Sequence, residues 1–187
     1  MQHLKSALLH FLGFTLLVGF IYPAAVWGIG QVFFASQAGG SLIRRDEQVI
    51  GSSLIAQPFQ AARYFHGRPS NASLDAKTGI LVSGASNLSP HNPSLIRQRQ
   101  AYGDAWSQQN PNVPPPLEFL SASASGLDPH ISLAGALAQA PRVAEARKAP
   151  IDEIQGKIIS QLQKAPFRFL GQDYINVVGL NLALDAQ

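Results

Sequence analysis

The hydrophobic pattern divides the chain into two regimes. From Leu8 to Phe34 no Asp, Glu, Lys or Arg interrupts the apolar run, whose polar members are His10, Thr15, Tyr22 and Gln31. A helix of that length spans ~40 Å, against ~30 Å for the hydrocarbon core of a bilayer, so the run predicts a membrane helix with some tilt. Pro23 lies inside it and is expected to kink it near Gly19 to Pro23. Tyr22, Trp27, Phe33 and Phe34 fall in its second half, and the last two read as an interfacial anchor. Gly13, Gly19, Gly28 and Gly30 are either close-approach points for neighbouring membrane helices or residues that lipid tolerates. A cleaved signal peptide is the competing reading, with Lys5 as its basic region and Ala35-Ser36-Gln37-Ala38 as its cleavage site. A signal h-region is ~7–15 residues, about half this run, which favours an uncleaved anchor. The expected layout is a tail over 1–7, a transmembrane helix over 8–35 and one domain over 36–187.

The remainder alternates short apolar runs with turn signals and is long enough for one core. Leu42-Ile43 and Val49 to Ile55 flank Arg45-Asp46-Glu47-Gln48, which predicts a hairpin. Residues 57–94 are rich in Ser, Asn, Gly and Pro, and read as a long irregular region of the kind that often forms functional surface. Asn92-Pro93 is a helix-start signal, and Leu95, Arg99, Tyr102 and Trp106 predict a helix over 94–108. Pro111 and Pro114-Pro115-Pro116 then predict an extended connector. Asp128-Pro129 is expected to open a second helix. Pro141 is expected to break it near Gln139, with Arg142 to Lys148 adding a turn or two. Ile151, Ile154, Ile158 and Leu162 form the apolar stripe of a third helix that Asp152 and Glu153 begin and Pro166 stops. Ile175, Val177, Leu180, Leu182 and Leu184 predict a final strand with a bulge at Val178-Gly179, pairing near the N-terminal hairpin. The fold class is therefore α+β: one N-terminal transmembrane helix, then a single small mixed domain.

Composition sharpens this picture. The chain of 187 residues is 46% hydrophobic and 13% charged, about half the ~25% charge of an ordinary soluble domain. The deficit sits in the apolar start: all 11 acidic residues, and every Lys or Arg except Lys5, lie from Arg44 onward. The hydrophobic content excludes a disordered chain. The lack of a second long apolar run excludes a polytopic membrane protein. The absence of cysteine excludes a disulfide scaffold and thiol chemistry. Net charge is only +3 with no Lys/Arg cluster, so no nucleic-acid partner is expected. Lys/Arg counts on the two sides of the helix are nearly balanced and do not set its orientation.

Candidate chemistry is sparse. Ser121 to His130 brings serine, acid and histidine together, but without the strand–elbow–helix setting of a nucleophile. A small-residue loop leading into a helix, with Asp128 as its cap, is the favoured reading. His66, His91 and His130, with Asp128, lack the spacing of a metal site, so no metal is expected. No phosphate-binding glycine motif occurs. Ser83-Gly84-Ala85-Ser86-Asn87 is either a backbone anion nest or an exposed turn. Arg63-Tyr64-Phe65 and Arg68-Pro69 are either interface residues or a local arginine–aromatic stack.

These motifs, in order, resemble one family. They are Tyr22-Pro23, Gly40 to Ile43, Gly51 to Phe59, Tyr64-Phe65-His66-Gly67-Arg68-Pro69-Ser70, Ser83 to Leu88 and Asn92-Pro93. After them come Ser123-Ala124-Ser125-Gly126-Leu127-Asp128-Pro129-His130-Ile131, Pro141-Arg142-Val143-Ala144 and Asn181 to Asp185. The series is similar to the C subunit of the Kdp potassium-transporting ATPase. The resemblance implies a single-pass protein of the bacterial inner membrane, with its N-terminus cytoplasmic and its domain periplasmic. It implies partners: a K⁺-translocating A subunit, an ATP-hydrolysing B subunit, and membrane lipid. It implies no cofactor of its own, since ATP, Mg and K⁺ are handled by the partners. The implied function is that of a non-catalytic accessory subunit, a catalytic chaperone that raises the ATP affinity of the B subunit. Nucleotide contact is implied at Gln139. Tyr64, Phe65, Arg68, Pro69, Ser83, Gly84, Ser86, Asn87, Ser125, Gly126, Asp128, Pro141 and Arg142 are family-motif residues without an assigned role. A periplasmic domain lies across the membrane from ATP, so stabilising the assembly or covering the K⁺ entrance are its more direct options. Ala85 replaces a glycine usual in the family, and the 57–80 segment is compressed. The alternatives are an anchored periplasmic hydrolase using Ser125 and His130, and an anchored substrate-binding module.

Overall fold

The computed structural model describes residues 2–75, 77–165, 167, 169 and 171–186. The chain forms two compact units, Met1–Ser52 and Ser53–Gln187.

The first unit begins with a helix, His3–Phe33, that is long and apolar enough to cross a membrane. It consists of α1 (Gln2–Leu16), a π-helical turn (Leu17–Ile21) and α2 (Tyr22–Phe33). The widened turn comes immediately before Pro23, and the Tyr22 N–H donates to the Leu17 carbonyl, five residues back. The expected disturbance near Gly19 to Pro23 thus takes the form of a π turn: proline cannot donate to the ladder, and one wide turn absorbs the fault. A short helix, α3 (Ala35–Ala38), follows. β1 (Leu42–Arg45) and β2 (Gln48–Ser52) form the predicted antiparallel hairpin, with a register shift between Ile43 and Arg44. Asp46 and Glu47 both take positive φ, as a two-residue turn matched to the strand twist demands.

In the second unit the 57–92 stretch is mostly irregular, apart from the small hairpin β3 (Ser73–Leu74) and β4 (Leu81–Val82). α4 (Pro93–Gln109) starts as predicted: the Asn92 side chain accepts from the Ser94 N–H and Pro93 opens the helix. The proline-rich connector leads into a 3₁₀ turn at Leu117–Leu120.

Four expectations beyond this point are corrected. Asp128-Pro129 does not open a helix: β5 (His130–Ser132) comes first, and α5 (Leu133–Arg147) is capped by Ser132, whose hydroxyl accepts from Gly135 N–H. α5 also runs unbroken through Pro141. Proline denies the Leu137 carbonyl its donor, but Pro141 and Leu137 are exposed, so water can satisfy that carbonyl. α6 (Ile151–Ser160) ends before Leu162, which belongs to β6 (Leu162–Gln163). The stop assigned to Pro166 lies outside the described residues. Finally, the terminal strand is only β7 (Tyr174–Asn176), and Val177–Asp185 is a helix, α7. Its buried residues, Val177, Val178, Leu180, Asn181 and Leu184, follow a helical period. The slip at Val178-Gly179 is the first turn of that helix, where Gly179 N–H donates to the Asn176 side chain at 3.0 Å. β7 pairs with β5 and β6, in the order β5-β7-β6, not with the hairpin.

The core is one cluster under this sheet. Phe65, Trp106 and Phe119 meet Val143 of α5, Ile154 and Ile158 of α6, and Leu180 of α7. α5 presents Gly135, Ala136, Ala140 and Ala144 to the interior, small residues that let the neighbouring chain come close.

Candidate functional site

Side chains from two stretches far apart in sequence, Gln139 to Arg147 and Asn181 to Asp185, converge on one irregular segment, Ala61 to Arg68. Its backbone is held by side chains. The Phe65 N–H donates to Asn181 Oδ1 at 2.8 Å, and Asn181 Nδ2 returns a bond to the Phe65 carbonyl at 2.9 Å. One residue on, the His66 N–H donates to Gln139 Oε1 at 2.8 Å, and Gln139 Nε2 donates to the His66 carbonyl at 3.0 Å. Each amide therefore satisfies both backbone groups of one residue, as a neighbouring strand would. Both amides are buried, Gln139 at 0% and Asn181 at 1% exposure. Gln139 also donates to the Gly135 carbonyl and accepts from Arg142 Nη2. All its hydrogen-bonding groups are engaged inside the protein, so contact with a nucleotide would require this clamp to open.

Two arginines of α5 close the arrangement. Arg142 Nη1 donates to the carbonyls of Ala62 at 2.7 Å and Tyr64 at 3.0 Å, and its Nε donates to Asn110 Oδ1 at 3.1 Å. Burial pushes the Arg142 guanidinium down to about 10, which still leaves it charged at neutral pH. Arg147 Nε donates to the Arg63 carbonyl, its Nη1 to the Leu184 carbonyl, and its Nη2 to Asp185 Oδ1 at 2.8 Å. Tyr64 completes the ring: its hydroxyl donates to Asp185 Oδ2 at 2.8 Å, and the Arg63 and Arg147 guanidinium carbons lie 5.6 and 5.3 Å from its ring centre. Of the two readings of the arginine–aromatic pattern, the local stack is the one present at Arg63 and Tyr64.

Asp185 carries a pH dependence. Burial pushes its carboxyl up, but the hydrogen bonds from Arg147 and Tyr64 more than offset this, and it lies below its usual value. A depressed carboxylate contributes stability that is complete above the unfolded value of ~4 and is lost as pH falls through the folded one. Asp185→Asn is expected to lower stability at neutral pH and flatten the acid limb of the stability profile. Urea melts of both proteins across the acid range check this, and parallel acid limbs would assign the sensitivity to other carboxylates.

A second cluster joins 68–70 and 83 to 123–130. Arg68 Nη1 faces Asp128 Oδ2 at 3.4 Å, the Ser70 hydroxyl donates to the Gly126 carbonyl at 2.6 Å, and the Ser123 N–H donates to the Pro69 carbonyl at 3.1 Å. The Ser83 hydroxyl donates to the Ser125 carbonyl. The structure does not join Ser125 to His130: Ser125 Oγ accepts from the Leu127 N–H, whereas the His130 ring meets Asp128 at 3.1 Å. Asp128 also accepts from the His130 N–H, so it makes a turn where a helix cap is expected. His66 bonds Gln109, and among the described residues no three His, Cys, Asp or Glu side chains cluster in metal-binding fashion. Gly84, Ala85, Ser86 and Asn87 are exposed. Asn87 holds the left-handed conformation in this stretch and Ala85 does not, so the alanine adds no backbone strain.

The family described as KdpC, K⁺-transporting ATPase, c chain, matches residues 4–186. The chain belongs to the KdpC family. Among curated relatives, the potassium-transporting ATPase KdpC subunit of Methylibium petroleiphilum is 48% identical over 98% of this chain and 97% of the relative. The KdpC subunit of Photorhabdus laumondii is 45% identical over 97% and 95%, and that of Caulobacter vibrioides 45% over 100% and 94%. The KdpC match thus spans the apolar helix, the hairpin and both side-chain clusters. Within this KdpC chain, residue-level reading missed Arg147, Asn110 and the roles of Asn181 and Asp185. A buried amide inside an apolar helical run was the available signal for Asn181.

Proposed function

We propose that the chain is an accessory subunit of a potassium-transporting ATPase complex, working beside a K⁺-translocating subunit and an ATP-hydrolysing subunit. In this reading it contributes no chemistry of its own, and ATP, Mg and K⁺ are handled by the partners. The apolar helix crosses the bacterial inner membrane once, with the N-terminus cytoplasmic and the second unit periplasmic. Its contribution is to assembly and to the ATP affinity of the hydrolysing partner.

The observation that carries this reading, beside family membership, is where the motif side chains go. Gln139, Arg142 and Asn181 hold the 61–68 segment in place, and Ser125 and Asp128 hold turns. Groups engaged in this way support a rigid scaffold presented to partners better than a reaction centre.

A tagged chain captured in mild detergent tests it, with K⁺-stimulated ATPase assayed with and without the chain. Two larger membrane proteins are expected to co-purify, and omission of the chain is expected to raise the KM for ATP. Purification of the chain alone, with undiminished ATPase in its absence, would overturn the proposal.

A further inference from the structure

The first unit continues past its apolar helix without a flexible joint. The Ala38 N–H donates to the Phe34 carbonyl at 2.8 Å, and the Gly39 N–H to that of Ala35 at 2.9 Å. The Gly40 N–H then donates to the Gln37 carbonyl at 3.0 Å and the Ser41 N–H to that of Ser36 at 2.8 Å, with Gly40 at φ +88°. This pair of bonds is a Schellman stop, which turns the chain in a fixed way. The Ser52 hydroxyl, at the far end of β2, donates to the Gly40 carbonyl at 2.7 Å and ties the second strand of the hairpin to the same stop. The β1–β2 hairpin is therefore held to the end of the helix by both of its strands. α3 adds only ~6 Å beyond Phe34. The polar zone of a bilayer is ~5–8 Å deep on each side of the hydrocarbon core. With Phe33 and Phe34 as the aromatic anchor at the edge of that core, the hairpin starts among the headgroups.

One face of the hairpin suits that place. Leu42 and Arg44 share a side of β1 by alternation, and Val49, the direct partner of Arg44, joins them. All three are exposed, Leu42 at 47% and Val49 at 50%. The opposite face carries Arg45 and its partner Gln48, both exposed and polar, and the half-buried Ile43. Two aliphatic side chains beside an arginine match the boundary between headgroups and acyl chains: the aliphatic groups enter the upper acyl region while the guanidinium reaches a phosphate.

We propose that the β1–β2 hairpin is an interfacial membrane element, its Leu42–Arg44–Val49 face seated on the leaflet from which the helix emerges, with Arg44 on a phospholipid phosphate. The inference rests on the reading that the helix crosses the membrane. Its consequence is that the chain leaves the bilayer surface at Ser52 and not at Phe34. Asp46 and Glu47 at the turn balance Arg44 and Arg45, so the hairpin has no net charge with which to select anionic lipid. The group it meets is the phosphate that zwitterionic and anionic phospholipids share.

The chain has no cysteine, so single cysteines introduced into the full chain can carry an environment-sensitive fluorophore. Phe33→Cys reports on the helix, Val49→Cys on the seated face and Gln48→Cys on the opposite one. The vesicles are of phosphatidylcholine, with and without phosphatidylglycerol, and a lipid bearing a nitroxide near the top of its acyl chain is the quencher. It is expected to quench the Val49 label at least about twice as strongly as the Gln48 label, the contrast between a face set ~5–10 Å into the boundary and one in water. The contrast is expected in both kinds of vesicle, and to be lost in Arg44→Glu, which sets a carboxylate against the phosphates. Quenching at Phe33 but not at Val49 would overturn the proposal and leave the membrane helix standing, whereas quenching at neither would overturn both. Equal quenching at Val49 and Gln48, a contrast confined to vesicles with phosphatidylglycerol, or a contrast undiminished by Arg44→Glu would also refute it. So would a Val49 label hidden from both the nitroxide and aqueous iodide, as a second copy of the chain would hide it.

Discussion

Arg142→Met is expected to destabilise the second unit by about 3 kcal/mol, a fall in Tm of roughly 10 °C for a domain of this size. Methionine keeps most of the stem volume, so little of the loss comes from packing. The loss comes from the fork. Arg142 donates to four oxygens, the carbonyls of Ala62 and Tyr64 and the side chains of Asn110 and Gln139. Hydrogen bonds from a charged donor are worth ~1.5–3 kcal/mol each, but the Ala62 carbonyl is exposed and water recovers part of that sum. Arg142→Lys tests the geometry: an ammonium can serve one or two of these acceptors but not all four, so it should restore about half the stability. Thermal melts of the two variants decide the matter. Values for Arg142→Met within about 1 kcal/mol of the parent would mean that the 61–68 segment is held by its buried ring and amides alone. A cycle with Gln139→Leu should be non-additive, because the two side chains share a bond of 2.8 Å.

Gly126→Ala should cost a similar amount, about 3 kcal/mol, by a different route. Gly126 has φ +70°, and a Cβ built there would lie 2.7 Å from the Ala72 backbone nitrogen and 3.0 Å from Ser70 Oγ. The left-handed backbone costs a β-carbon roughly 1–2 kcal/mol, and the collision with main chain adds the rest. Gly126→Asn separates the two contributions. Asparagine tolerates the left-handed region, so it should relieve the conformational part and leave the collision. Gly84→Ala is the control, with no atom within 4 Å of its would-be Cβ. Equal melting of Gly126→Ala and Gly84→Ala would refute the argument.

How much of this was legible in the sequence depended on the range of the interaction. Local chemistry came through. Asn92-Pro93 caps α4, Asp46-Glu47 turns the hairpin, and the apolar run before Phe34 forms one long helix. Two local signals misled because tertiary context overrode them. Pro141 is tolerated where its orphaned carbonyl faces water. The alternation after Tyr174 suits a strand, but the buried set, Val177, Val178, Leu180, Asn181 and Leu184, follows the helical period because one face of α7 lies against the core. The clamp itself was out of reach. Its bonds join residues 73 and 116 positions apart, Gln139 to His66 and Asn181 to Phe65. No spacing rule connects an amide on a helix to a loop half a chain away. Resemblance identified the words Tyr64 to Pro69, Pro141-Arg142 and Asn181 to Asp185 as belonging together. Only the fold showed that they do so by touching.

The π turn at Leu17–Ile21 alters how the apolar helix is to be mapped. An α-helix advances ~100° per residue, and a π turn takes up one residue more than its neighbours, so the helical wheel is out of phase by about that angle across it. Any neighbour lying straight along this helix meets one face before Leu17 and a differently numbered face after Ile21. Cysteine cross-linking scans should therefore be indexed separately on the two halves, with the periodicity of reactive positions restarting at Tyr22.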